Sequence, residues 1–128
     1  MVSLSDMLAD GPVVLFFYPK AFTPGCTMES CHFRDLADAF AELGARPVGI
    51  SADDTATQAK FDSVYDLGMT LLSDPDRAIA KAYGMKRPGI LLNKRQTFVI
   101  GTDRRVAAVV GSEFNMKAHA DAALASLR

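Results

Sequence analysis

The feature that most constrains the fold is an apolar run at residues 13–18 that ends at a proline and leads into a helix-forming segment. The run reads Val-Val-Leu-Phe-Phe-Tyr, short, continuous and rich in β-branched and aromatic residues, which is typical of a strand buried on both faces. Pro19 ends it. A Thr-Pro-Gly cluster then precedes a helix that we expect to begin at Cys26.

The rest of the chain continues this alternation of strands and helices. Apolar residues three and four apart predict one helix over residues 26–43, ended by Gly44. Asp53, Asp54 and Thr55 are expected to cap the next helix. Its predicted apolar face is Phe61, Val64 and Tyr65. Further strands are predicted at residues 48–50, 69–72, 97–100 and 106–110, and further helices at residues 76–83, after a capping Asp74, and 115–127.

Composition narrows the class of protein. A chain of 128 residues fits a single domain, residues 1–128, that can bury a core. The net charge is −1 with both signs interspersed, which argues against a nucleic-acid or membrane partner. The apolar runs are far shorter than the ~20 residues that span a bilayer, and Ser3, Ser5 and Asp6 do not follow the basic-then-apolar pattern of a secretory leader. We therefore expect a cytoplasmic protein.

Both cysteines, Cys26 and Cys31, follow the apolar run closely, and a pair is too few for a disulfide framework. At a helix N-terminus several amides lack intrahelical partners and the helix dipole presents its positive end, so a thiolate at Cys26 would be stabilised. The alternative is an inert, buried cysteine. Position alone does not decide between these interpretations.

The pattern Pro19-x-x-x-Thr23-x-x-Cys26 resembles the active-site motif of the peroxiredoxins, matching its proline, threonine and peroxidatic cysteine. Cys31, five residues on, narrows the resemblance to the peroxiredoxin Q subfamily, also called bacterioferritin comigratory protein. Residues 86–89 and 93–100 resemble the same subfamily, where an arginine just before a strand lies over the reactive cysteine. Arg95 is the matching position.

The resemblance covers essentially the whole chain and implies an α/β thioredoxin-like fold: a central mixed sheet of about five strands with helices on both faces. The implied strand order is third, second, first, fourth, fifth, with the fourth antiparallel to the first and the fifth to the fourth. Members of the subfamily usually carry a further segment, an extended hairpin, before the part that matches Val2.

The implied activity is that of a thiol-dependent peroxidase, an antioxidant enzyme that reduces hydrogen peroxide or organic hydroperoxides without a metal or organic cofactor. Cys26 would become a sulfenic acid, and Cys31 would condense with it to an intramolecular disulfide. Thioredoxin or a similar dithiol protein would restore both thiols. We expect a monomer or a weak homodimer.

Two residues are expected to stabilise the charge that develops as the O–O bond breaks, together with the amides of Gly25 and Cys26. The Thr23 hydroxyl lies three residues before Cys26, but it is also suited to cap the helix. The Arg95 guanidinium offers several donors in a fixed plane. Without the resemblance, Arg95 would be an ordinary surface arginine.

Glu29 lies on the same helix face as Cys26. The resemblance implies that it orients Arg95 through a charge-assisted pair, and the alternative is a favourable acid in the first helical turn. Pro19 is expected to shield the cysteine from water as well as to end the strand. Phe22, Met28 and residues 88–92 either pack in the core or form an apolar collar around the cysteine.

Other readings of the cysteine pair stay open. Cys31 would otherwise be a core residue of an amphipathic helix, leaving a peroxidase with a single working cysteine. A non-catalytic redox-sensing or partner-binding module of the same fold is a further alternative. The spacing disfavours a Cys-x-x-Cys oxidoreductase. A metal site that adds His32 and His119 lacks zinc-ligand spacing, and we expect His32 to be a solvated helix residue.

Overall fold

The computed structural model describes residues 4–74, 78–82, 96–111 and 116–127. The strands are β1 (Val13–Phe17), β2 (Arg46–Ser51), β3 (Thr70–Ser73), β4 (Gln96–Ile100) and β5 (Val106–Gly111). The helices are α1 (Leu4–Leu8), α2 (Pro24–Asp35), α3 (Ala37–Glu42), α4 (Thr55–Tyr65), α5 (Ala78–Ala82) and α6 (Met116–Leu127).

The strands form one mixed sheet in the order β3-β2-β1-β4-β5. β1 pairs in parallel with β2, and β2 with β3, whereas β4 runs antiparallel to both β1 and β5. Leu15, at the middle of β1, lies between Val48 of β2 and Phe98 of β4. The predicted strand order and directions are confirmed.

The central strand is buried on both faces, as its composition predicts. All five residues of β1 are buried, and alternate side chains enter two separate clusters. Val14 and Phe16 pack with residues of α2, α3, α4 and α6, and the other cluster is capped by α1. The sheet therefore carries its larger core on the α2 face. In the part of the chain that the structure describes, no helix is long and apolar enough to cross a membrane.

The single helix predicted over residues 26–43 is wrong in one respect, because it is broken at Leu36 into α2 and α3. Leu36 has φ −98° and ψ 10°, and its amide is shared between the carbonyls of His32 and Phe33. Phe33 and Phe40 lie seven residues apart, about 10 Å along a straight helix, yet their rings stack at 5.8 Å. The break lets both rings enter the same core.

Smaller differences concern element ends and one buried face. Helix α1 was not predicted, and Val64, assigned to an apolar face, is 56% exposed. Gly44 has φ +70° and ends the helical segment as expected. The carboxylate of Asp74 accepts from the amide of Ile79, which agrees with its predicted capping role. Residues 83–95, including the predicted end of the fifth helix, lie outside the described residues.

Candidate active site

Cys26 lies beyond the carboxyl end of the central strand β1, where the loop that follows this strand leads into a helix. Helix α2 begins at Pro24, two residues earlier than predicted, so Cys26 is its third residue. The amide of Thr27 donates to the carbonyl of Thr23 at 2.9 Å and starts the helical ladder. The amides of Gly25 and Cys26 precede this bond, at the positive end of the helix dipole. Cys26 is not in a disulfide and is fully buried, so the dipole acts on its thiol away from bulk water.

Thr23 is the residue that precedes the helix, but its side chain does not cap it. Its backbone is extended, and its hydroxyl donates to the carbonyl of Lys20 at 2.7 Å instead of accepting from an amide of α2. The capping alternative for this hydroxyl is therefore wrong. With its proton directed at Lys20, the Thr23 oxygen faces other groups as a hydrogen-bond acceptor.

The loop between β1 and α2 is anchored by Asp53, which sequence reasoning assigned to a helix cap. Its carboxylate oxygen Oδ2 accepts from the amide of Ala21 at 2.7 Å and from the hydroxyl of Ser51 at 2.6 Å. Asp54 alone caps α4, accepting from the amide of Thr57 at 2.7 Å. A side chain from the β2–α4 connection thus fixes the backbone five residues before the cysteine.

Tyr18 adds a second anchor at the base of the same loop. Its hydroxyl donates to Gln58 Oε1 at 2.6 Å, and Gln58 Nε2 donates to the carbonyl of Leu72. Burial raises the pKa of Tyr18 well above its ordinary value, so the phenol stays protonated and neutral. The end of β1 is thereby tied to α4 and β3 by hydrogen bonds that do not change with pH in the physiological range.

Phe22 occupies a strained position in the loop. It has φ +66°, a left-handed conformation that is uncommon for a bulky side chain. Its ring lies 5.1 Å from that of Phe61 and 6.1 Å from that of Tyr65, and it is still 39% exposed. Met28 is 53% exposed on α2. Core packing does not account for these two exposed side chains, and the apolar collar beside Cys26 stays a prediction. Residues 88–92, the third part of that collar, lie outside the described residues.

Cys31 lies on the same continuous helix as Cys26. It is half-buried against the larger core, and its thiol is free. Five residues of regular helix separate two Cα atoms by about 8 to 9 Å. A disulfide tolerates at most about 7 Å. The two cysteines therefore cannot bond while α2 keeps this form.

Pro19 follows Tyr18 at the start of the loop between β1 and α2, and its side chain is half-buried.

Glu29 is fully buried in the second turn of α2, so the alternative of a favourable acid in the first turn is wrong. Its Oε2 lies 3.4 Å from Nδ1 of His119 on α6, and the same nitrogen lies 2.8 Å from the hydroxyl of Thr97 on β4. His119 and Thr97 are also fully buried. From the sequence, His119 is considered only as a metal ligand and Thr97 is not singled out. The available signal was a histidine on the apolar face of the last helix.

The second histidine, His32, also has a partner. Its Nε2 lies 2.7 Å from the carboxylate of Asp121 on α6, and only 19% of its side chain is exposed. His32 is therefore partly covered and paired, and not the solvated helix residue that was expected. Among the described residues, no group of three His, Cys, Asp or Glu side chains is arranged to hold a metal ion. Arg95 lies outside the described residues, so its pairing with Glu29 stays a prediction.

The model of the AhpC/TSA family matches residues 1–109. The chain belongs to this family. The crystal structure of peroxidoxin BcpB from Mycobacterium tuberculosis is 57% identical with a TM-score of 0.94, and the match covers 98% of this chain and 83% of that one. Peroxiredoxin Q of Xanthomonas campestris is 31% identical with a TM-score of 0.87, over 94% and 79% of the two chains.

Chloroplast peroxiredoxin Q of Arabidopsis thaliana is 42% identical over 118 residues, which is 90% of this chain and 54% of the plant sequence. The chain thus belongs among the peroxiredoxins of the Q type, with their thioredoxin-like fold. The two cysteines of this peroxiredoxin, the loop that precedes them and strands β1 to β4 all fall inside the matched region.

The Asp53 anchor of this peroxiredoxin is directly testable. Asp53→Ala removes the acceptor for the Ala21 amide, so we expect the second-order rate constant for peroxide to fall roughly tenfold, about 1.4 kcal/mol of barrier. The measurement is stopped-flow reaction of the reduced protein with hydrogen peroxide. Asp54→Ala is the matched control, because it removes only the cap of α4 and is expected to leave this rate constant within about twofold. Equal slowing in both variants would contradict a role for Asp53 in holding the loop.

Proposed function

We propose that Cys26 is the thiol with which this thiol-dependent peroxidase reduces hydrogen peroxide and organic hydroperoxides. The Cys26 thiolate attacks one peroxide oxygen and the O–O bond breaks. The attacked oxygen stays on sulfur as a sulfenic acid, and the departing oxygen takes a proton to leave as water or an alcohol. The observation that carries the proposal is the position of Cys26, a buried thiol in the first turn of α2.

The surroundings of Cys26 support this chemistry through charge. The amides of Gly25 and Cys26 and the positive end of the α2 dipole favour the thiolate and the negative charge that develops on the departing oxygen. The Thr23 hydroxyl donates its proton to the Lys20 carbonyl, so its oxygen accepts a hydrogen bond from the O–H of a bound hydroperoxide and orients it. Burial of the thiol and the half-buried Pro19 limit access of water.

Cys31 is proposed to resolve the sulfenic acid. Its thiol sulfur attacks the sulfenic sulfur of Cys26, the S–O bond breaks, water leaves and an intramolecular disulfide forms. A thioredoxin-type dithiol protein, the class of reductant used by the family, then reduces the disulfide. We propose a cytoplasmic location and a monomer or weak homodimer as the working form, without a metal or organic cofactor.

The decisive experiment is stopped-flow reaction of the reduced protein with hydrogen peroxide. A thiol that reacts several orders of magnitude faster than free cysteine is expected from a preorganised site. A rate no faster than that of free cysteine would leave only a non-catalytic binding or sensing module.

Counting free thiols distinguishes the two-cysteine route from a peroxidase with a single working cysteine. After one equivalent of peroxide, the proposed route consumes both thiols and leaves an intramolecular disulfide, whereas the single-cysteine route consumes one and leaves a sulfenic acid. A dimedone adduct on Cys26 beside an unreacted Cys31 thiol would favour the single-cysteine route.

Arg95 is proposed to hold the departing oxygen. We expect Arg95→Ala to slow the peroxide step by about tenfold or more, about 1.4 kcal/mol of barrier, because a charged donor is lost from the site. Stopped-flow rates over a range of peroxide concentrations measure the effect. Arg105→Ala, in the exposed β4–β5 turn, is the matched control and should keep the native rate. If Arg95→Ala reacted at the native rate, Arg95 would not contact the departing oxygen.

A further inference from the structure

The buried contact between Glu29 and His119 joins the helix that carries both cysteines to the opposite end of the chain. Three elements meet at one ring nitrogen: Glu29 of α2 at 3.4 Å and Thr97 of β4 at 2.8 Å both approach Nδ1 of His119 on α6. All three residues are fully buried. Thr97 is hydrogen-bonded to this nitrogen and the Glu29 carboxylate lies at ion-pair distance from it, so a ring that carries its proton on Nδ1 links Glu29 to the sheet.

Glu29 lies between the two cysteines in sequence. Because a regular helix holds Cys26 and Cys31 too far apart for a disulfide, the turns between them must unwind before the bond forms. Unwinding carries Glu29 away from His119 and breaks a contact that is shielded from water. Breaking a buried polar pair is strongly unfavourable, so this contact opposes the unwinding.

The neighbouring polar contact between the same two helices is weaker. His32 and Asp121 lie 2.7 Å apart, but 60% of the Asp121 side chain is exposed, and exposed ion pairs contribute little. Beyond these turns, Phe33 stacks on Phe16 of β1 at 4.2 Å and holds the end of α2 on the sheet. Of these two described polar contacts between α2 and α6, Glu29–His119 is the one that is shielded from water.

We propose that His119 is a positioning residue that holds the Cys26 turn of α2 in its helical form and thereby sets the fate of the Cys26 sulfenic acid. The inference rests on the proposed function. In the unwound form, the Cys31 thiol attacks the sulfenic sulfur, water leaves and the disulfide forms. In the helical form, the sulfenate attacks a second hydroperoxide molecule, whose O–O bond breaks; sulfur gains an oxygen as sulfinate and water or an alcohol leaves.

Weakening the His119 contact shifts this competition toward the disulfide. The variant is His119→Leu, which removes the ring nitrogen and keeps an apolar side chain. We expect the hydrogen peroxide concentration that converts half of the protein to sulfinate to rise roughly tenfold, because the unwound form is more populated. Mass spectrometry after thiol blocking measures disulfide and sulfinate in the same sample of the full chain.

Three further variants separate positioning from a general loss of stability. His119→Asn carries its amide where Nδ1 lies and should return the half-sulfinate concentration to within about twofold of the native value. His32→Leu breaks the exposed contact between the same helices and should leave the half-sulfinate concentration unchanged. Leu124→Ala makes a cavity under α6 and lowers the midpoint of unfolding, but it should also leave the half-sulfinate concentration unchanged.

The proposal is overturned if His119→Leu forms sulfinate at the native peroxide concentration, if His119→Asn behaves like His119→Leu, or if Leu124→Ala matches His119→Leu. Should His119→Leu fail to fold, Thr97→Val removes only the hydroxyl at Nδ1 and must shift the partition in the same direction. If the native protein never forms the Cys26–Cys31 disulfide, the proposed function is overturned. If the native protein forms it, but Thr97→Val and His119→Leu leave the ratio of disulfide to sulfinate unchanged, only this inference is overturned.

Discussion

Cys26→Ser is expected to abolish peroxide reduction. A serine hydroxyl in the same turn of α2 has no thiolate to attack the peroxide, and Cys31 lies about one and a half turns further along the helix, away from the N-terminal amides. We therefore expect no reaction of this variant above the rate of free cysteine. Stopped-flow consumption of hydrogen peroxide by the reduced variant is the measurement.

Cys31→Ser is the matched control, because it removes the other thiol of the same helix. It is expected to keep the first oxidation at close to the native rate, to give one sulfenic acid per chain and to lose turnover with thioredoxin. Because no resolving thiol is present, its sulfenic acid should pass readily to sulfinic acid. If Cys26→Ser reacted with peroxide at the native rate, the assignment of the peroxidatic cysteine would be wrong.

Oxidation is expected to melt the first turns of α2. In the reduced protein, residues 27–33 lie in a continuous helix with Glu29, Ser30 and Phe33 buried, so their amides should exchange slowly with solvent. Bonding Cys26 to Cys31 draws their Cα atoms closer than a regular helix allows. We expect exchange in residues 27–33 to accelerate roughly a hundredfold or more after one equivalent of peroxide.

The internal control for this experiment is β1, buried at the centre of the sheet and paired on both sides, which should exchange equally slowly in both redox states. Reduction of the disulfide with dithiothreitol should restore slow exchange in residues 27–33. The prediction is contradicted by equal protection of this segment in both states once mass spectrometry has confirmed an intramolecular disulfide. That result would mean that the helix accommodates the bond without unwinding.

The sequence was sufficient for the parts of this protein that depend on local pattern. The apolar run before Pro19 is a buried strand, the hairpin of β4 and β5 lies where two strand-forming runs flank a Gly-Thr-Asp turn, and Cys26 lies in the first turn of a helix. These features depend on neighbours a few residues apart, so spacing and residue type determine them. The order of the strands was predicted from the resemblance, because hydrophobic periodicity does not indicate which strands pair.

Only the tertiary structure decided what the polar side chains of the site contact. Asp53 and Asp54 are equivalent as cap candidates in the sequence, but the fold brings Ala21 to the first and leaves the second as the cap. Glu29 meets His119 across a long stretch of sequence. Such contacts arise because the sheet folds distant segments together, and a buried polar atom takes whichever partner the packing brings near it.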